Sequence, residues 1–250
     1  MSNSKMFQGY YKDFKDIKTS TNIFKNKTWL DREYKKIKYL KKLQPHQLNI
    51  SRDYPLLVAT SMIFDDKKLL KIIDFGGAFG KSYLSISKGI VGLKKLKYYI
   101  VDLPNICSIA KNNFIDEKKI RFCKKIPNIK DCDIFHFGSS LQYIEDWKAV
   151  LIQMKSIKPK YLIFSDLIAG DIKEFVTKQS FNKSVMPYRF YNIKKFVNFI
   201  SKLGYKLVLR NNYQVQFNNK LSFLPTKKFP IDSRLEYSTN LIFKKNETNY

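Results

Sequence analysis

From residue 71 onward, short apolar runs alternate with stretches of helical period, and this alternation restricts the fold more than any other feature. The runs fall near 71–75, 97–101, 119–123, 133–137, 160–165, 204–210 and 239–244. The helical stretches fall near 81–90, 105–114, 144–156 and 192–203. Strands separated by helices pair in parallel, with the helices covering both faces of one sheet. The last connection, NNYQVQFNNKLSFLPTKKFPIDSRLEYST, has no convincing helical period. An α/β chain is therefore expected, with a mostly parallel seven-stranded sheet and an antiparallel last strand.

The N-terminal part reads differently. Residues 1–25 are polar and aromatic without a clear period and suggest a loosely packed arm. Residues 28–43 carry Trp29, Tyr34, Ile37, Leu40 and Leu43 at helical spacing, with Thr28 as a cap and Pro45 beyond the end. A second helix, about 53–64, is apolar nearly all round and is expected to be buried. Residues 1–65 thus form an arm and helical extension, and residues 66–250 the α/β domain. No apolar run approaches a membrane span, and the polar start is unlike a secretory signal.

The charge invites an acidic partner. Net charge is +26, yet only six of the 47 basic residues are Arg, and the Lys are scattered among Ile and Asn. That pattern fits a compositional habit better than a phosphate-reading surface, where planar Arg is expected. Nucleic acid is therefore not the favoured partner. Cys107, Cys123 and Cys132 lack CxxC spacing, and with two histidines, His46 and His136, no metal site is expected. Free thiols fit a cytoplasmic location.

The first run of the alternation ends in a glycine turn, Asp74-Phe75-Gly76-Gly77-Ala78-Phe79-Gly80, followed by Lys81-Ser82. Three ligands compete for such a turn. A triphosphate loop needs a glycine five positions before Gly80, where Phe75 stands. Asp74 would also face the phosphates, at a cost of roughly 3 kcal/mol per charge pair at ~6 Å. A dinucleotide turn needs G-x-G-x-x-G, and Ala78 and Lys81 occupy two of its glycine positions. S-adenosyl-L-methionine is cationic at sulfur, so a nearby carboxylate attracts it. Asp102 ends the next strand, 26 residues beyond Gly76, where an acid can accept both ribose hydroxyls of an adenosyl group. It can equally cap the helix starting near Pro104.

The turn resembles motif I of class I methyltransferases, acid-x-Gly-x-Gly-x-Gly, with Ala78 in place of the middle glycine. CDIFHFGSSLQYIEDW, residues 132–147, resembles the fourth-strand motif of the same enzymes. SRDYPLLVA, DFGGAFG, the strand-two acid with Leu-Pro, SSLQYIED and the segment from Val176 to Val208 occur in an order that resembles predicted bacterial methyltransferases associated with cell-surface polysaccharide genes. The resemblance covers about residues 50–210. It implies a Rossmann-like three-layer sandwich and S-adenosyl-L-methionine as cofactor. Asp74, Gly76, Gly77, Gly80, Asp102, Leu103 and Ser139 would then surround the cofactor. The implied reaction is methyl transfer, with O-methylation of a small-molecule or glycan-linked acceptor favoured. An RNA or protein methyltransferase and a non-catalytic binding module are the rivals.

Three residues compete for catalytic roles. His136 is either a general base or a packed strand residue. Asp166, ending YLIFSDL, either binds the acceptor or orients a base, or else caps a helix or turn. Tyr143 touches the methyl or adenine, or packs in the core. The long mixed segment from Gly170 to Tyr191 reads as a lid or acceptor loop, or as a helix packing Phe175, Val176 and Phe181. Within it, Gln179, Tyr188 and Arg189 are candidates for acceptor binding, Arg189 for an anionic group.

Overall fold

The computed structural model describes residues 6–19, 22–65, 68–181, 184–217 and 220–247. In chain order, strand β1 (Phe7–Tyr11) precedes helices α1 (Lys27–Leu40) and α2 (Tyr54–Ile63). The alternating region follows: β2 (Leu70–Phe75), α3 (Lys81–Gly89), β3 (Leu96–Val101), α4 (Pro104–Ala110), β4 (Ile120–Cys123), β5 (Ile134–Gly138), α5 (Trp147–Lys155) and β6 (Tyr161–Leu167). Next come β7 (Ala169–Gly170), β8 (Phe175–Phe181), β9 (Ser184–Asn192), α6 (Ile193–Lys202) and β10 (Tyr205–Tyr213). A short hairpin, β11 (Gln216–Phe217) and β12 (Lys220–Leu221), leads to β13 (Ser238–Lys245).

Seven strands form the central sheet in the order β10-β13-β6-β5-β2-β3-β4. The pairs among β6, β5, β2, β3 and β4 are parallel, and β13 runs antiparallel to both its neighbours. From β2 the chain winds to β3 and β4, then returns to β5 on the other side. The crevice at the C-terminal ends of β2 and β5 is therefore the topological switch point, where open α/β sheets bind ligands.

Each sheet face carries its own core. Leu30, Leu56, Tyr83 and Ile106, one from each of α1 to α4, pack on Ile72, Tyr98 and Ile100. On the other face, Trp147 and Leu151 of α5 and Phe196 and Ile200 of α6 pack on Phe135, Phe137 and Phe164. Helix α6 shows why its sequence folds locally: Ile193, Phe196 and Ile200 recur on one face, and the Asn192 side chain accepts from the Lys195 N–H at 2.8 Å. Phe137 and Phe164 stack at 5.1 Å, and burial of each ring contributes about 2–3 kcal/mol.

Four expectations need correction. Helix α1 is capped by Asn26, whose side chain accepts from Trp29 N–H, and Thr28 lies inside the helix. Helix α2 buries only one face, through Leu56, Ala59 and Thr60, while Tyr54 and Met62 stand exposed because the helix forms an outer layer. The arm is not loose where it is described: β1 pairs antiparallel with β8, and Phe7 is buried. Residues 1–5 and 20–21 of that arm lie outside the described residues. Among its described residues the segment 170–191 is mostly strand, with a short loop at 171–174 and no helix. Its β8–β9 hairpin forms a second sheet in the order β1-β8-β9-β7. Phe175 and Val176 are strand residues on alternate faces, as their β-branched and aromatic neighbours favour. Among the described residues, no helix is long and apolar enough to cross a membrane.

Candidate functional site

A cavity of about 1220 Å³ opens at the switch point, bounded by the β2–α3 turn, the ends of β3, β5 and β6, helix α1 and the second sheet. The turn at its floor is held on two sides. A Cβ on Gly76, which has φ +71°, would collide with Ser140, whose hydroxyl donates to Phe75 O at 2.7 Å. A Cβ on Gly77 would lie 2.5 Å from Asp74 Oδ2. Only glycine fits between the Asp74 carboxyl and the neighbouring strand end. Gly80 then begins α3.

Three of the turn's amides are already committed. Gly76 N–H donates to Val101 O at 2.8 Å, Gly80 N–H to Gly77 O at 3.0 Å, and Ala78 N–H to Asp102 Oδ2 at 2.9 Å. A phosphate cradle is made from free backbone N–H groups, so three of its donors are missing here.

Asp102 lines the cavity, and its Oδ1 accepts from Leu103 N–H at 2.7 Å. It does not cap α4, whose N-cap is Leu103 without a side-chain bond. Burial pushes the carboxyl up to about 6, against the lowering effect of the Leu103 and Ala78 N–H groups. Each carboxyl oxygen accepts one amide and retains a further lone pair.

Asp74 and His136 lie elsewhere than the motif suggests. Both are fully buried and neither lines the cavity. Asp74 accepts from Tyr98 OH at 2.9 Å and from His136 Nδ1 at 2.8 Å. In that tautomer His136 Nε2 accepts from the Ser165 hydroxyl at 3.0 Å. Both ring nitrogens are thus engaged beneath the turn, out of reach of an acceptor. A Cβ on Gly138 would sit 2.8 Å from His136 Cε1, so the strand end is shaped around the ring.

Ser139 and Asp166 follow β5 and end β6, and both adopt φ +56°. The left-handed backbone costs a non-glycine residue of order 1 kcal/mol. It is held by Ser139 N–H to Ser165 O at 2.8 Å and by Asp166 N–H to Asn240 Oδ1 at 2.8 Å. Both residues line the cavity. Asp166 Oδ1 is buried without a hydrogen-bond partner, and burial raises this carboxyl despite the Ser238 and Ser139 hydroxyls.

Tyr143, Gln179 and Tyr188 come together. Tyr143 OH donates to Gln179 Oε1 at 2.8 Å, and its ring meets Tyr188 edge to face at 4.9 Å. All three line the cavity, and burial raises both phenols, so neither hydroxyl is a ready base. Arg189 departs from expectation. It sits on the opposite face of β9, pairs with Glu174 at 2.9 Å, donates to Glu145 O at 3.2 Å, and does not line the cavity. Strand alternation separates it from Tyr188.

Arg52, Asp53 and Lys81 were not legible as site residues. Asp53 is fully buried and accepts from Arg52 Nε, from Arg52 NH2 at 3.1 Å, and from the hydroxyls of Ser82 and Ser85 at 3.0 Å each. Burial works to raise the carboxyl, but the Arg52 and Lys81 charges outweigh it and bring it down to about 2. Arg52 and Lys81 line the cavity. Burial and the Arg52 charge push Lys81 down to about 8. The visible signal was the SRD tripeptide ahead of an apolar helix, with serines at i and i+3 of the helix after the glycine turn.

No protein-family model and no curated protein sequence matches the chain. Solved structures do. They include 1,6-didemethyltoxoflavin-N1-methyltransferase of Burkholderia thailandensis, bound to 1,6-didemethyltoxoflavin and S-adenosylhomocysteine, at 11% identity and TM-score 0.52 over 92% of this chain and 93% of that one. An S-adenosylmethionine-dependent methyltransferase from Clostridium acetobutylicum matches at 12% identity and TM-score 0.52 over 88% and 99%. Magnesium protoporphyrin IX methyltransferase from Synechocystis, with bound S-adenosylmethionine, matches at 9% identity and TM-score 0.51 over 90% and 88%. At such identities the likeness establishes architecture: the chain has the Rossmann-like fold of class I methyltransferases.

Proposed function

We propose that the protein is an S-adenosylmethionine-dependent methyltransferase acting on a small molecule. The observation that carries this reading is the coupling of Asp102 to the glycine turn. Its carboxyl accepts the Ala78 amide and lines the cavity at the end of the second parallel strand. The donor set fits this cofactor better than a triphosphate, because three of the turn's amides are already bonded within the protein and the Asp102 carboxyl lines the cavity. Asp102 would hold the ribose hydroxyls, Leu103 and Ile106 the adenine, and Arg52 with Lys81 the carboxylate of the amino-acid tail. The neighbours bound to S-adenosylhomocysteine and S-adenosylmethionine support the same assignment.

The cavity exceeds the usual 300–1,000 Å³ of a single small-ligand site, which leaves room for an acceptor beside the cofactor. When bound, the cofactor supplies an electrophilic methyl: an acceptor lone pair forms the new bond to carbon as the carbon–sulfur bond breaks with its electrons left on sulfur. Asp166 takes the acceptor proton, since its raised carboxyl is a better base than an ordinary aspartate. Tyr143 and Gln179 position the acceptor. His136 acts beneath the turn and holds Asp74. O-methylation is the reading favoured by a carboxylate base.

Calorimetry tests the proposal. S-adenosylmethionine should bind, and ATP should not. Heat from ATP without heat from S-adenosylmethionine would sink it.

A further inference from the structure

The cavity has two chemically different halves. The half made by the glycine turn, the end of β3 and helix α1 holds Arg32, Glu33, Lys36, Arg52, Lys81 and Asp102. The other half is walled by the second sheet and the strand-like tail after β10. Phe7, Ile168, Tyr188, Val215 and Leu224 line it, and all five belong to a third hydrophobic core that is separate from those of the central sheet. Among the described cavity-lining residues that the second sheet, the end of β6 and the tail after β10 contribute, Asp166 is the sole charged group, and Arg52 acts on it from the other half. The other polar groups of this wall are few, and the main pair, Tyr143 OH and Gln179, is already bonded together.

A bare saccharide presents several hydroxyls that lose water on entry, and each needs a partner. This wall offers too few. An anionic acceptor would meet the Asp166 carboxylate, while Arg52, the cation that acts on Asp166, is already held by Asp53, and Arg189 is turned away and neutralised by Glu174. An aromatic ring fits what is present. Tyr143 and Tyr188 lie edge to face at 77°, Phe7 and Tyr188 at 5.3 Å, and such clusters add rings by the same geometry.

Resting on the methyltransferase reading above, we propose that the acceptor is an uncharged aromatic molecule with a ring hydroxyl, seated against Phe7, Tyr143 and Tyr188 with its hydroxyl directed to Asp166. The hydroxyl oxygen gains the methyl, and its proton passes to the Asp166 carboxylate, so charge and atoms balance with the cofactor as the methyl source. The glycan-linked acceptor suggested by the sequence is thereby disfavoured at the reacting end.

The test uses the whole protein saturated with S-adenosylhomocysteine and follows the fluorescence anisotropy of 2-naphthol. Binding at least tenfold tighter than that of 6-hydroxynaphthalene-2-sulfonate, the charged analogue, is expected. Methyl glucoside and cyclohexanol should not displace the naphthol. Absence of naphthol binding, equal binding of the sulfonate, or displacement by either competitor overturns the inference. S-adenosylhomocysteine binding is measured first by calorimetry, so its failure is recognised as failure of the methyltransferase reading. A variant guards against a chance apolar site: Leu224→Arg should weaken naphthol at least tenfold and leave S-adenosylhomocysteine binding within twofold. Unchanged naphthol affinity in that variant also overturns the proposal.

Discussion

His136 Nδ1 stands 2.8 Å from Asp74 Oδ1, and both side chains are sealed from solvent beneath the glycine turn. The pair ties the tip of β5 to the tip of β2, where Asp74 and His136 are register partners. Gly77 rests against the same carboxyl, so the shape of the turn depends on a buried histidine that does not line the cavity.

Replacing His136 by Ala should therefore destabilise the fold by roughly 2–4 kcal/mol, because Asp74 and Ser165 lose buried partners. Cofactor affinity should fall with it. Urea denaturation and calorimetry measure the two effects. Full stability with reduced turnover would restore His136 as a base.

Gly77→Ala should abolish detectable cofactor binding and cost about 1–3 kcal/mol of stability, since the new methyl meets Asp74 Oδ2 at 2.5 Å. Comparison of melting curves with and without S-adenosylmethionine checks it. A ligand-induced shift equal to wild type would contradict the packing described.

Asp102 makes opposite demands on stability and binding. Its carboxyl titrates near 6 in the fold and near 3.8 when unfolded, so the unfolded chain binds fewer protons between those values. Stability from this group is present at low pH and is lost as pH rises through 6. Asp102→Asn should melt about 2–6 °C above wild type at pH 7.5 and converge with it near pH 4. Cofactor affinity should drop by roughly 2 kcal/mol or more in the variant. In the wild type, affinity should weaken as pH falls below about 6. Scanning calorimetry and binding across pH 4–8 decide the matter.

Lys81 carries the reverse sign. Its amine is held near 8 against an ordinary 10.5, so the unfolded chain binds more protons between them. Stability from this group rises as pH climbs from 8 to about 10.5. Lys81→Met should flatten that rise and weaken cofactor binding about tenfold, measured by melting at pH 7 to 10 and by calorimetry. A variant as pH-dependent as wild type would contradict the burial assigned to Lys81.

The strand–helix alternation, the antiparallel last strand and the glycine turn were readable because each rests on local rules: period, loop content, and glycine where a side chain cannot stand. What escaped was set by distant partners. The second sheet needed residues 7–11 to find residues 176–179, and no periodicity in either stretch announces the other. Asp74 and His136 looked like ligand groups because each ends or lines a strand near the crevice. Only the register of β2 against β5 reveals that they face each other. Arg52 and Asp53 precede a plain apolar helix, and their meaning appears once Ser82 and Ser85 close around them. Arg189 drew attention by rarity, but strand alternation decides which neighbour of Tyr188 sees the cavity.

The pairing of β1 with β8 divides the molecule's labour along the chain. Under the proposed function, residues 70–138 would carry nearly all that the adenosyl end needs, whereas the chamber opposite is stitched from pieces more than 160 positions apart. On that reading, drift in those outlying pieces would remake what the protein accepts while the methyl-donor end stays as it is, so relatives with the same glycine turn should differ first in the hairpin and in the strand that zips against it.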